Sequence, residues 1–404
     1  MKKILFLTHQ PPYPPVSGGA IKRWKLVEYL SQHYSLGLAF FYQEQGFPCR
    51  DELLSRLSLH YFHAERLVKK RNLANLIKSV LRGMSLSLYR ACSPSFKKHI
   101  AGIAGDYDIL FLDSCFMFQY VPANYSGRVV LHAHNAEHVI WRQYARLEKN
   151  PLKRALVLRE AKKIMDYERL ICNRAHAVLA APADRQHLEK IGVDCGKFYE
   201  TLHLGDESLL GLRDIEFDET QEALLSVGTL GWAPNDDGLN WFISRAWDRL
   251  KLQHPALRFY IIGADPGPHL QKLCAQKKDI VLTGFVNDLE EYYAKCRVFV
   301  APLRFGSGIK VKVVNALYRG IPVVTTPTGA ESLELAHMNH AAVSDSIENM
   351  VQDCSTLLRD KEVWQRLQDN SRLLAAQRYR WQGVFENLEK ALQGSPQTDP
   401  GEHA

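Results

Sequence analysis

The sequence contains few cysteines, and they form no metal-binding or redox motif. Eight cysteines are scattered over 404 residues without a Cys-x-x-Cys pair. Scattered thiols suit a reducing compartment better than a disulfide framework or a zinc site. The sequence therefore predicts a cytoplasmic protein whose thiols stay reduced.

Long apolar runs are absent as well. The first run, residues 4–7, is too short for the hydrophobic part of a signal peptide and is followed by His9 and several prolines. No other run approaches the ~20 apolar residues that a transmembrane helix needs. We therefore expect neither a signal peptide nor a membrane span.

The rest of the composition is that of an ordinary globular protein, 46% hydrophobic and 24% charged. A chain of 404 residues is too long for one core, so two domains are expected. Short apolar runs alternate with helical patterns, and this alternation restarts after a polar, acidic stretch at residues 207–222. Such a pattern predicts two doubly wound parallel sheets. The predicted strands are residues 3–8, 34–41, 109–112, 129–132 and 177–180, then 223–227, 258–262, 280–282, 298–300 and 323–325.

Residues 299–331 carry the most informative pattern, which is strand, glycine-rich loop, helix, strand and glycine loop. Backbone N–H groups of such a loop can approach a phosphate, and the helix N-terminus adds a partial positive charge. Lys310 and Lys312 are unfavourable beside that dipole unless an anion lies between them. The alternative is a plain βαβ crossover with solvated lysines. The Gly-Lys-Ser/Thr ending of a P-loop ATPase is missing.

This segment resembles the donor-binding region of family 4 glycosyltransferases, in the branch that has Pro-Leu-Arg-x-Gly-x-Gly-x-Lys-x-Lys here. The resemblance covers most of the chain and implies an α/β protein of the GT-B fold, with two Rossmann-like domains facing a cleft. It implies an acceptor-side domain at residues 1–207, a donor domain at 208–375 and a helix at 376–393 that crosses back to the first domain. Residues 394–404 are predicted to be a disordered tail.

The resemblance also implies roles for individual residues. Charge on the donor diphosphate would be stabilised by Lys310 and Arg304, and His134 would contact the sugar at the catalytic centre. The remaining donor-binding residues are predicted to be Gly18, Gly19, Gly228, Thr229, Gly263, Phe285, Val286, Gly306, Ser307, Gly308, Ile309, Lys312 and Asn315.

Three positions depart from the family pattern. Thr229 stands where the family commonly has an arginine, and Asn235 lies near the usual place of a lysine that completes the phosphate clamp. Asn315 replaces a glutamate that holds the ribose hydroxyls in the family. Because charge-assisted hydrogen bonds are about twice as strong as neutral ones, the amide predicts weaker donor binding. On the predicted helix, Lys312, Asn315 and Arg319 share one polar face.

On the acceptor side, the resemblance points to Arg23, Asp113, Asn135 and Glu137. Structural roles stay open here: a histidine near a strand end explains His134, and a helix or turn cap explains Asp113. His132 and His134 have the spacing of metal ligands, but no metal is expected. Asp106 and Asp108 form an Asp-x-Asp pair that precedes a strand, and we interpret them as a turn.

Net charge is +7 and is concentrated in two stretches. Apolar residues lie between the charges, which is typical of amphipathic helices on anionic lipid. A solvated face is the alternative, and nucleic acid is disfavoured because aromatic residues are not interleaved. The basic residues are Lys69, Lys70, Arg71, Lys78, Arg82, Arg90, Lys97 and Lys98, then Lys149, Lys153, Arg154, Arg159, Lys162 and Lys163.

Together these observations predict a retaining, metal-independent glycosyltransferase without a cofactor, placed at the cytoplasmic face of the cell membrane. It would transfer a sugar from a nucleoside diphosphate sugar to a glycan or lipid-linked acceptor. Two alternatives remain. One is a sugar-nucleotide epimerase or hydrolase of the GT-B fold, and the other is a non-enzymatic nucleotide-sugar-binding partner.

Overall fold

The computed structural model describes residues 1–15 and 18–394. The chain divides into two compact units. Unit 1 comprises Met1–Leu202 together with the chain from Gln382 onward, and unit 2 comprises His203–Trp381. Most of the predicted tail, residues 395–404, and two residues of the proline-rich loop, 16 and 17, lie outside the described residues.

Unit 1 is built on a parallel sheet of seven strands in the order β3-β2-β1-β4-β5-β6-β7. Between consecutive strands, a crossover returns the chain to the end of the sheet where the strands begin, as parallel pairing requires. The strands are β1 (Lys3–Thr8), β2 (Ser35–Tyr42), β3 (Leu59–Arg66), β4 (Ile109–Leu112), β5 (Arg128–His132), β6 (Ala177–Ala180) and β7 (Phe198–Glu200).

Both faces of this sheet are buried, which explains the nearly continuous apolar strands. In β1, Leu5 and Leu7 enter the core on one face, whereas Ile4 and Phe6 enter the core on the other. The helices of unit 1 are α1 (Gly18–His33), α2 (Arg50–Arg56), α3 (Leu73–Leu81), α4 (Leu86–Arg90), α5 (Pro94–Ile103), α6 (Glu137–Leu147), α7 (Pro151–Arg174) and α8 (Pro182–Glu189).

Unit 2 has a parallel sheet of six strands in the order β10-β9-β8-β11-β12-β13. Its strands are β8 (Gln221–Val227), β9 (Arg258–Ile262), β10 (Ile280–Gly284), β11 (Cys296–Ala301), β12 (Val323–Thr325) and β13 (Ala342–Val343). Its helices are α9 (Ala233–Phe242), α10 (Asp248–Gln253), α11 (Pro268–Ala275), α12 (Glu290–Lys295), α13 (Val311–Arg319), α14 (Ile347–Arg359) and α15 (Lys361–Arg378).

The last helix, α16 (Trp381–Gln393), packs mainly within unit 1. Leu388 and Leu392 are buried in the same core as Ile4 and Phe6, and the ring of Phe385 stacks on Tyr29. Apolar burial therefore fixes this helix to the first sheet although it follows unit 2 in the sequence.

The sequence predicted the apolar strands well and the polar ones poorly. Strands β1, β4, β6, β9 and β12 are confirmed at their predicted bounds. Strands β3 and β7 were not predicted, because β3 is only half-buried and carries charged residues at its end. Helix α9 begins at Ala233 and is joined to α10 by a π-helical turn at Ile243–Trp247. Among the described residues, no helix is both long and apolar enough to cross a bilayer.

Candidate active site

In unit 2, the glycine-rich loop between β11 and α13 folds around the ammonium group of Lys310. Gly306 and Gly308 have φ angles of 132° and 76°, which residues with a side chain rarely adopt. Lys310 is 5% exposed. Its Nζ donates to the Gly308 carbonyl and lies 3.4 Å from Oε2 of Glu331. Lys310 therefore holds the loop in shape, and Glu331 offsets part of its charge.

Lys312 lies two residues further along, in the first turn of α13, and contacts a different group of atoms. Its Nζ donates to Oδ1 of Asn235 over 2.7 Å, and Nδ2 of Asn235 donates to the Thr229 carbonyl over 2.8 Å. A Cβ built on Gly228 would lie 3.6 Å from Lys312 Nζ, so the ammonium is close to the end of β8. Burial, followed by the charge of Lys310, lowers the pKa of Lys312 to about 7. An anion that binds beside this ammonium group would stabilise its protonated form.

Asn235 positions the ammonium group of Lys312. A lysine at 235 would repel Lys312, whereas the amide accepts a hydrogen bond from it and holds its charge beside Gly228. The sequence alone identifies Thr229 and Asn235 only as departures from the family pattern. Thr229 contributes its backbone carbonyl to this arrangement.

The carboxyl ends of β8, β9 and β10 meet at three glycines. Gly263 has a φ of 155°, and a Cβ there would lie 1.7 Å from the Gly228 carbonyl oxygen, so only glycine fits. Gly263 N donates to the Gly284 carbonyl over 2.9 Å. Phe285 follows directly and is 60% exposed, and Val286 is half-buried. The predicted base-binding residues therefore lie at one edge of the sheet, where ligands of doubly wound folds bind.

Arg304, which is predicted to stabilise the donor diphosphate, is paired with a carboxylate in the structure. Its Nε donates to Oδ2 of Asp237 over 2.7 Å, and its guanidinium lies over the ring of Trp241 at 5.7 Å. The carboxylate of Asp237 therefore offsets the charge that the sequence analysis assigned to the diphosphate. Gly306, Ser307 and Ile309 follow in the loop, and Ser307 and Ile309 are buried.

Asn315 is half-buried and bonds to the backbone of its own unit. Its Oδ1 accepts a hydrogen bond from Asp206 N over 2.8 Å, and a Cβ on Gly205 would lie 1.7 Å from that oxygen. The helical pattern predicted that Arg319 and Asn315 share an exposed polar face, and this prediction is wrong for Arg319. It is 4% exposed and forms a bidentate pair with Glu290. The helix therefore exposes a narrower polar face than its sequence indicates.

In unit 1, the carboxylate of Asp113 is the centre of a buried polar cluster at the end of β4. It accepts hydrogen bonds from Arg23 Nε over 2.7 Å, from His132 Nδ1 over 2.8 Å and from His134 Nε2 over 2.9 Å. The hydroxyl of Thr8 donates to the same carboxylate over 3.1 Å. Asp113 is fully buried, so a simple turn cap does not describe it.

The titration of this cluster follows from burial and close charges. Burial acts to raise the pKa of Asp113, but His134, Arg23 and the hydrogen bonds from both imidazoles hold it well below its ordinary value. Burial lowers the pKa of His132 to about 3. Asp113 is therefore ionised at neutral pH and His132 is neutral. Both histidines bond to the carboxylate, which is the structural role that the sequence analysis left open.

The segment after β5 is fixed by two carboxylates from other helices. Glu168 accepts hydrogen bonds from the backbone N–H groups of Glu137 and His138, and Asp184 accepts one from Ala136 N. Asn135 bonds to the Glu137 side chain. Burial and the charge of Glu168 raise the pKa of Glu137 to about 7. Glu137 can therefore accept or donate a proton near neutral pH.

The start of α1 contains a buried lysine and two glycines. Lys22 is fully buried, and its Nζ donates to Thr201 Oγ1 over 2.6 Å and to the Leu202 carbonyl over 2.7 Å. In the sequence, only its position shortly after two glycines at a helix start pointed to a role for Lys22. Gly18 and Gly19 open α1, and a Cβ on Gly19 would meet nothing within 4 Å. The space beside Gly19 is therefore open.

The Asp-x-Asp pair lies at the opposite end of the first sheet. Asp106 and Asp108 precede β4, and Oδ2 of Asp108 accepts a hydrogen bond from Lys3 N over 2.8 Å. Asp113 follows the same strand, so the pair and the Asp113 cluster are separated by the length of β4. The interpretation of Asp106 and Asp108 as a turn before the strand is confirmed.

Comparison with known proteins finds similarity to glycosyltransferases, mainly in the second unit. Residues 221–360 match the family model described as glycosyl transferases group 1. A Klebsiella pneumoniae protein described as an uncharacterized 44.6 kDa protein in the cps region is 20% identical over 355 residues, covering 85% of this chain and 88% of that protein. An uncharacterized glycosyltransferase of Haemophilus influenzae is 24% identical over 161 residues, covering 38% of this chain and 44% of that protein.

Solved structures show the same fold at low identity. HepE of Anabaena in complex with UDP and glucose has a TM-score of 0.67 and 14% identity, covering 98% of this chain and all of that one (100%). WaaG, a glycosyltransferase involved in lipopolysaccharide biosynthesis, has a TM-score of 0.65 and 15% identity, covering 96% of this chain and 98% of that one. The two sheets and these neighbours define a GT-B protein.

The family match lies in the second unit. The matched residues 221–360 contain β8 to β13 and the Lys312 site. The glycosyltransferase resemblance inferred from the glycine-rich segment is confirmed at the level of similarity to group 1, and the GT-B fold with its two parallel sheets is confirmed by the solved structures.

The pKa of Lys312 leads to a first prediction, which concerns pH. An anion binds best to the protonated amine, so donor affinity should fall as the pH rises through about 7. With UDP-glucose as the probe, we expect the dissociation constant to rise about tenfold between pH 6 and pH 8. Isothermal titration at several pH values measures this change. Lys312→Arg keeps its charge throughout and should remove the pH dependence, whereas an unchanged profile in that variant would contradict the assignment.

Proposed function

We propose that the protein is a retaining glycosyltransferase that transfers a sugar from a nucleoside diphosphate sugar to a glycan or lipid-linked acceptor. One observation carries the proposal: within a group 1 domain, Lys312 is held by Asn235 beside Gly228 at the carboxyl end of the sheet. A cation, a glycine-rich backbone segment and the N-terminus of α13 therefore lie close together, and this combination suits the binding of a diphosphate.

The chemistry required of these residues is mainly electrostatic. As the sugar leaves, negative charge develops on the diphosphate, and preorganised donors lower the barrier most effectively there. Lys312 supplies the charge, and Lys310 orders the loop whose N–H groups at Gly306 and Gly308 complete the site. Arg304 supports the loop through Asp237. The reaction needs no metal ion in this scheme, so activity should survive treatment with a chelator.

The acceptor is assigned to unit 1. His134 and Arg23 are oriented by Asp113, and Glu137 has a pKa of about 7 that suits proton exchange with a hydroxyl group. The genomic description of the Klebsiella relative, in a cps region, favours a role in surface polysaccharide synthesis. The UDP, UDP-glucose and UDP with glucose in the HepE structures make UDP-sugars the first donors to test.

A panel of nucleoside diphosphate sugars in a thermal-shift assay is the direct test, followed by assays of sugar transfer and of donor hydrolysis. Stabilisation by one donor and transfer to an added glycan acceptor is the expected result. Release of free sugar or an epimerised donor without any acceptor would instead identify a hydrolase or epimerase. Absence of stabilisation by every donor would overturn the proposal.

A second candidate function is a non-enzymatic nucleotide-sugar-binding partner. It is favoured by Asn315, which replaces the glutamate of the family and whose oxygen already accepts a hydrogen bond from Asp206 N. Such a protein would bind the donor without turning it over, whichever acceptor is supplied.

Asn315 variants give a prediction that separates the two candidates. In a transferase that uses this position for the ribose, Asn315→Glu should keep or improve UDP-glucose affinity, because a carboxylate adds charge assistance worth about 1 kcal/mol. Asn315→Ala should weaken it several-fold. Titration calorimetry with both variants measures the change. Loss of binding in a folded Asn315→Glu variant would show that the amide serves the Gly205–Asp206 segment instead.

We also assign a membrane-facing surface to unit 1, consisting of α3 and the first turns of α7. Apolar residues are exposed on both helices, namely Leu73, Ile77, Val80, Leu81, Leu152 and Leu156. Exposed basic residues flank them, namely Lys70, Lys78, Arg82, Lys149, Lys153 and Arg154. This combination suits an anionic bilayer, where apolar side chains insert and lysines meet the headgroups. Lys69 is turned inward to the carbonyl groups of Tyr89 and Cys92 and is not part of this surface.

Vesicle co-sedimentation provides the corresponding prediction. Binding should increase with the anionic lipid content and decrease with salt, at about 1 kcal/mol for each charge near the surface. Reversal of two charges in Lys78→Glu/Arg82→Glu should reduce binding at least tenfold. The matched control is Lys272→Glu/Lys278→Glu on the exposed surface of unit 2. Equal binding to neutral and anionic vesicles would remove the electrostatic part of the proposal.

A further inference from the structure

A pocket of about 240 Å³ in unit 1 is lined by more cationic groups than its carboxylates neutralise. It opens at the carboxyl ends of β1 and β2, between α4 and the start of α6. Its volume lies just below the usual range for whole ligands, so it suits one part of a larger molecule. The lining includes His9, Gln10, Arg71, Arg90, Glu137 and Trp141.

Two arginines bring positive charge into this pocket. Arg90 is fixed by a hydrogen bond from its Nε to the Lys69 carbonyl over 2.6 Å. The guanidinium of Arg71 lies over the Trp141 ring at 5.3 Å. Burial, together with the charge of Arg71, lowers the pKa of Arg90, so the two like charges are close enough to interact. An anion bound between them would relieve this repulsion.

Arg71 and Arg90 lack the carboxylate partners that several other arginines of the fold have. Arg23 is paired with Asp113, Arg304 with Asp237 and Arg319 with Glu290. Within residues 1–15 and 18–394, neither Arg71 nor Arg90 has an ion pair at 4.0 Å or less. Glu137, the acidic group of the lining, is only partly ionised at neutral pH because burial and Glu168 raise its pKa to about 7. The pocket therefore keeps a net positive charge.

His9, one of the residues that line the pocket, has a buried ring nitrogen. Nδ1 of His9 is shielded from solvent and has no hydrogen-bond partner among the described residues. Burial lowers the pKa of His9 to about 3, so the imidazole is neutral and can donate or accept one hydrogen bond according to its tautomer. Buried polar atoms without a partner are rare in folded proteins, and a ligand hydroxyl would satisfy this one.

The pocket adjoins the Asp113 cluster. Oε1 of Gln10 lies 3.5 Å from a terminal nitrogen of Arg23, which Asp113 holds. His9 is close enough to Arg23 and His134 for their charges to lower its pKa. A molecule with a hydroxyl group near His134 can therefore extend a neighbouring group into the pocket.

We propose that this pocket is an acceptor subsite for an anionic group, held by the guanidinium groups of Arg71 and Arg90 while His9 and Glu137 bond to neighbouring hydroxyls. The inference rests on the proposed glycosyltransferase function, since it names the chemical class of the acceptor. Guanidinium groups bind phosphates and carboxylates through paired hydrogen bonds. The acceptor is thus a charged glycan, carrying either a sugar carboxylate or a phosphate linkage.

Titration of the full chain with small probes tests this subsite while the donor site is saturated with UDP. The probes are methyl glucuronide, its neutral counterpart methyl glucoside, and glucose 1-phosphate. The first and third are expected to bind at least tenfold more tightly than methyl glucoside. The tighter of the two anions identifies the source of the charge, a carboxylate or a phosphate. Equal affinity for all three probes would overturn the proposal.

Variants then localise the binding. Arg71→Gln and Arg90→Gln should each weaken binding of the charged probe about tenfold, and the double variant should bind it no better than methyl glucoside. Arg146→Gln removes an exposed arginine of α6 and should have no effect. Wild-type affinity in a folded Arg71→Gln/Arg90→Gln variant would exclude the pocket. UDP affinity, measured in the same samples, reports on unit 2 separately, so loss of the donor function would be recognised as a different failure.

Discussion

Replacing Lys312 with alanine is expected to raise the dissociation constant of UDP-glucose about 10- to 100-fold. The reason is that its ammonium group is the cation held by Asn235 beside Gly228, and charged hydrogen bonds contribute about 1.5–3 kcal/mol. Isothermal titration calorimetry measures the effect directly. Transfer activity should fall by at least the same factor, because the interaction strengthens as charge develops on the diphosphate.

The control for this change is Lys278→Ala, which removes an exposed lysine of the same unit. Its donor affinity should equal that of the wild type. Lys310→Ala should also weaken binding, through loss of the contact with the Gly308 carbonyl that shapes the loop. If Lys312→Ala binds UDP-glucose with unchanged affinity, the anion is not bound at this helix, and the donor-site assignment fails.

The second large effect is expected at Asp113. Asp113→Asn removes the charge that compensates Arg23, and both groups are almost completely buried. Loss of one partner of a buried pair costs about 3–5 kcal/mol, because the remaining charge is left without compensation. For a unit of this size, the unfolding temperature should fall by about 6–20 °C. Differential scanning calorimetry measures this shift.

Two further variants show whether the pair itself is responsible. Asp106→Asn removes an exposed carboxylate before the same strand and should leave the unfolding temperature unchanged. Arg23→Gln combined with Asp113→Asn should be destabilised by less than the sum of the single changes, with a coupling of about 1 kcal/mol or more. Additive effects would mean that the two side chains stabilise unit 1 independently.

Burial also sets the acid stability of unit 1. His9 and His132 have pKa values lowered to about 3, so they bind protons in the unfolded chain at pH values where the folded protein excludes them. The unfolded state therefore gains protons as the pH falls from about 6.5 towards 3, and these two groups reduce stability over that window. Glu137 acts in the opposite direction between about 7 and its ordinary value, because its folded pKa is raised.

The sequence predicts the alternation of strands and helices, because parallel strands that are buried on both faces must be apolar throughout. Strands β1 and β4 appear in the sequence as isolated apolar runs, and each is fully buried apart from Lys3. Strand β3 was not predicted because it lies at the edge of the sheet, where exposed and half-buried positions tolerate His60, Glu65 and Arg66. Edge strands lack the pattern that central strands carry.

The sequence pattern did not predict the ion-pair partners of individual charged side chains. Helical spacing placed Arg319 on the polar face of α13, but Glu290 from another helix binds it and buries it. Arg304 was assigned to the diphosphate, yet Asp237 accepts its hydrogen bonds. In each case the deciding partner is distant in the sequence, and charge on one residue says nothing about what neutralises it.

The sequence by itself determined the two parallel sheets, the glycosyltransferase resemblance and the glycine-rich loop with its lysines. These features depend on local chemistry: strand hydrophobicity, glycine at unusual φ angles and the spacing of charges along one helix. Only the tertiary structure decided which charges stay available. It joined Lys312 to Asn235, gathered four donors on Asp113 and left Arg71 and Arg90 together in one pocket. Such outcomes depend on contacts between residues far apart in the chain, whose energies are set by burial and by the partners that folding provides.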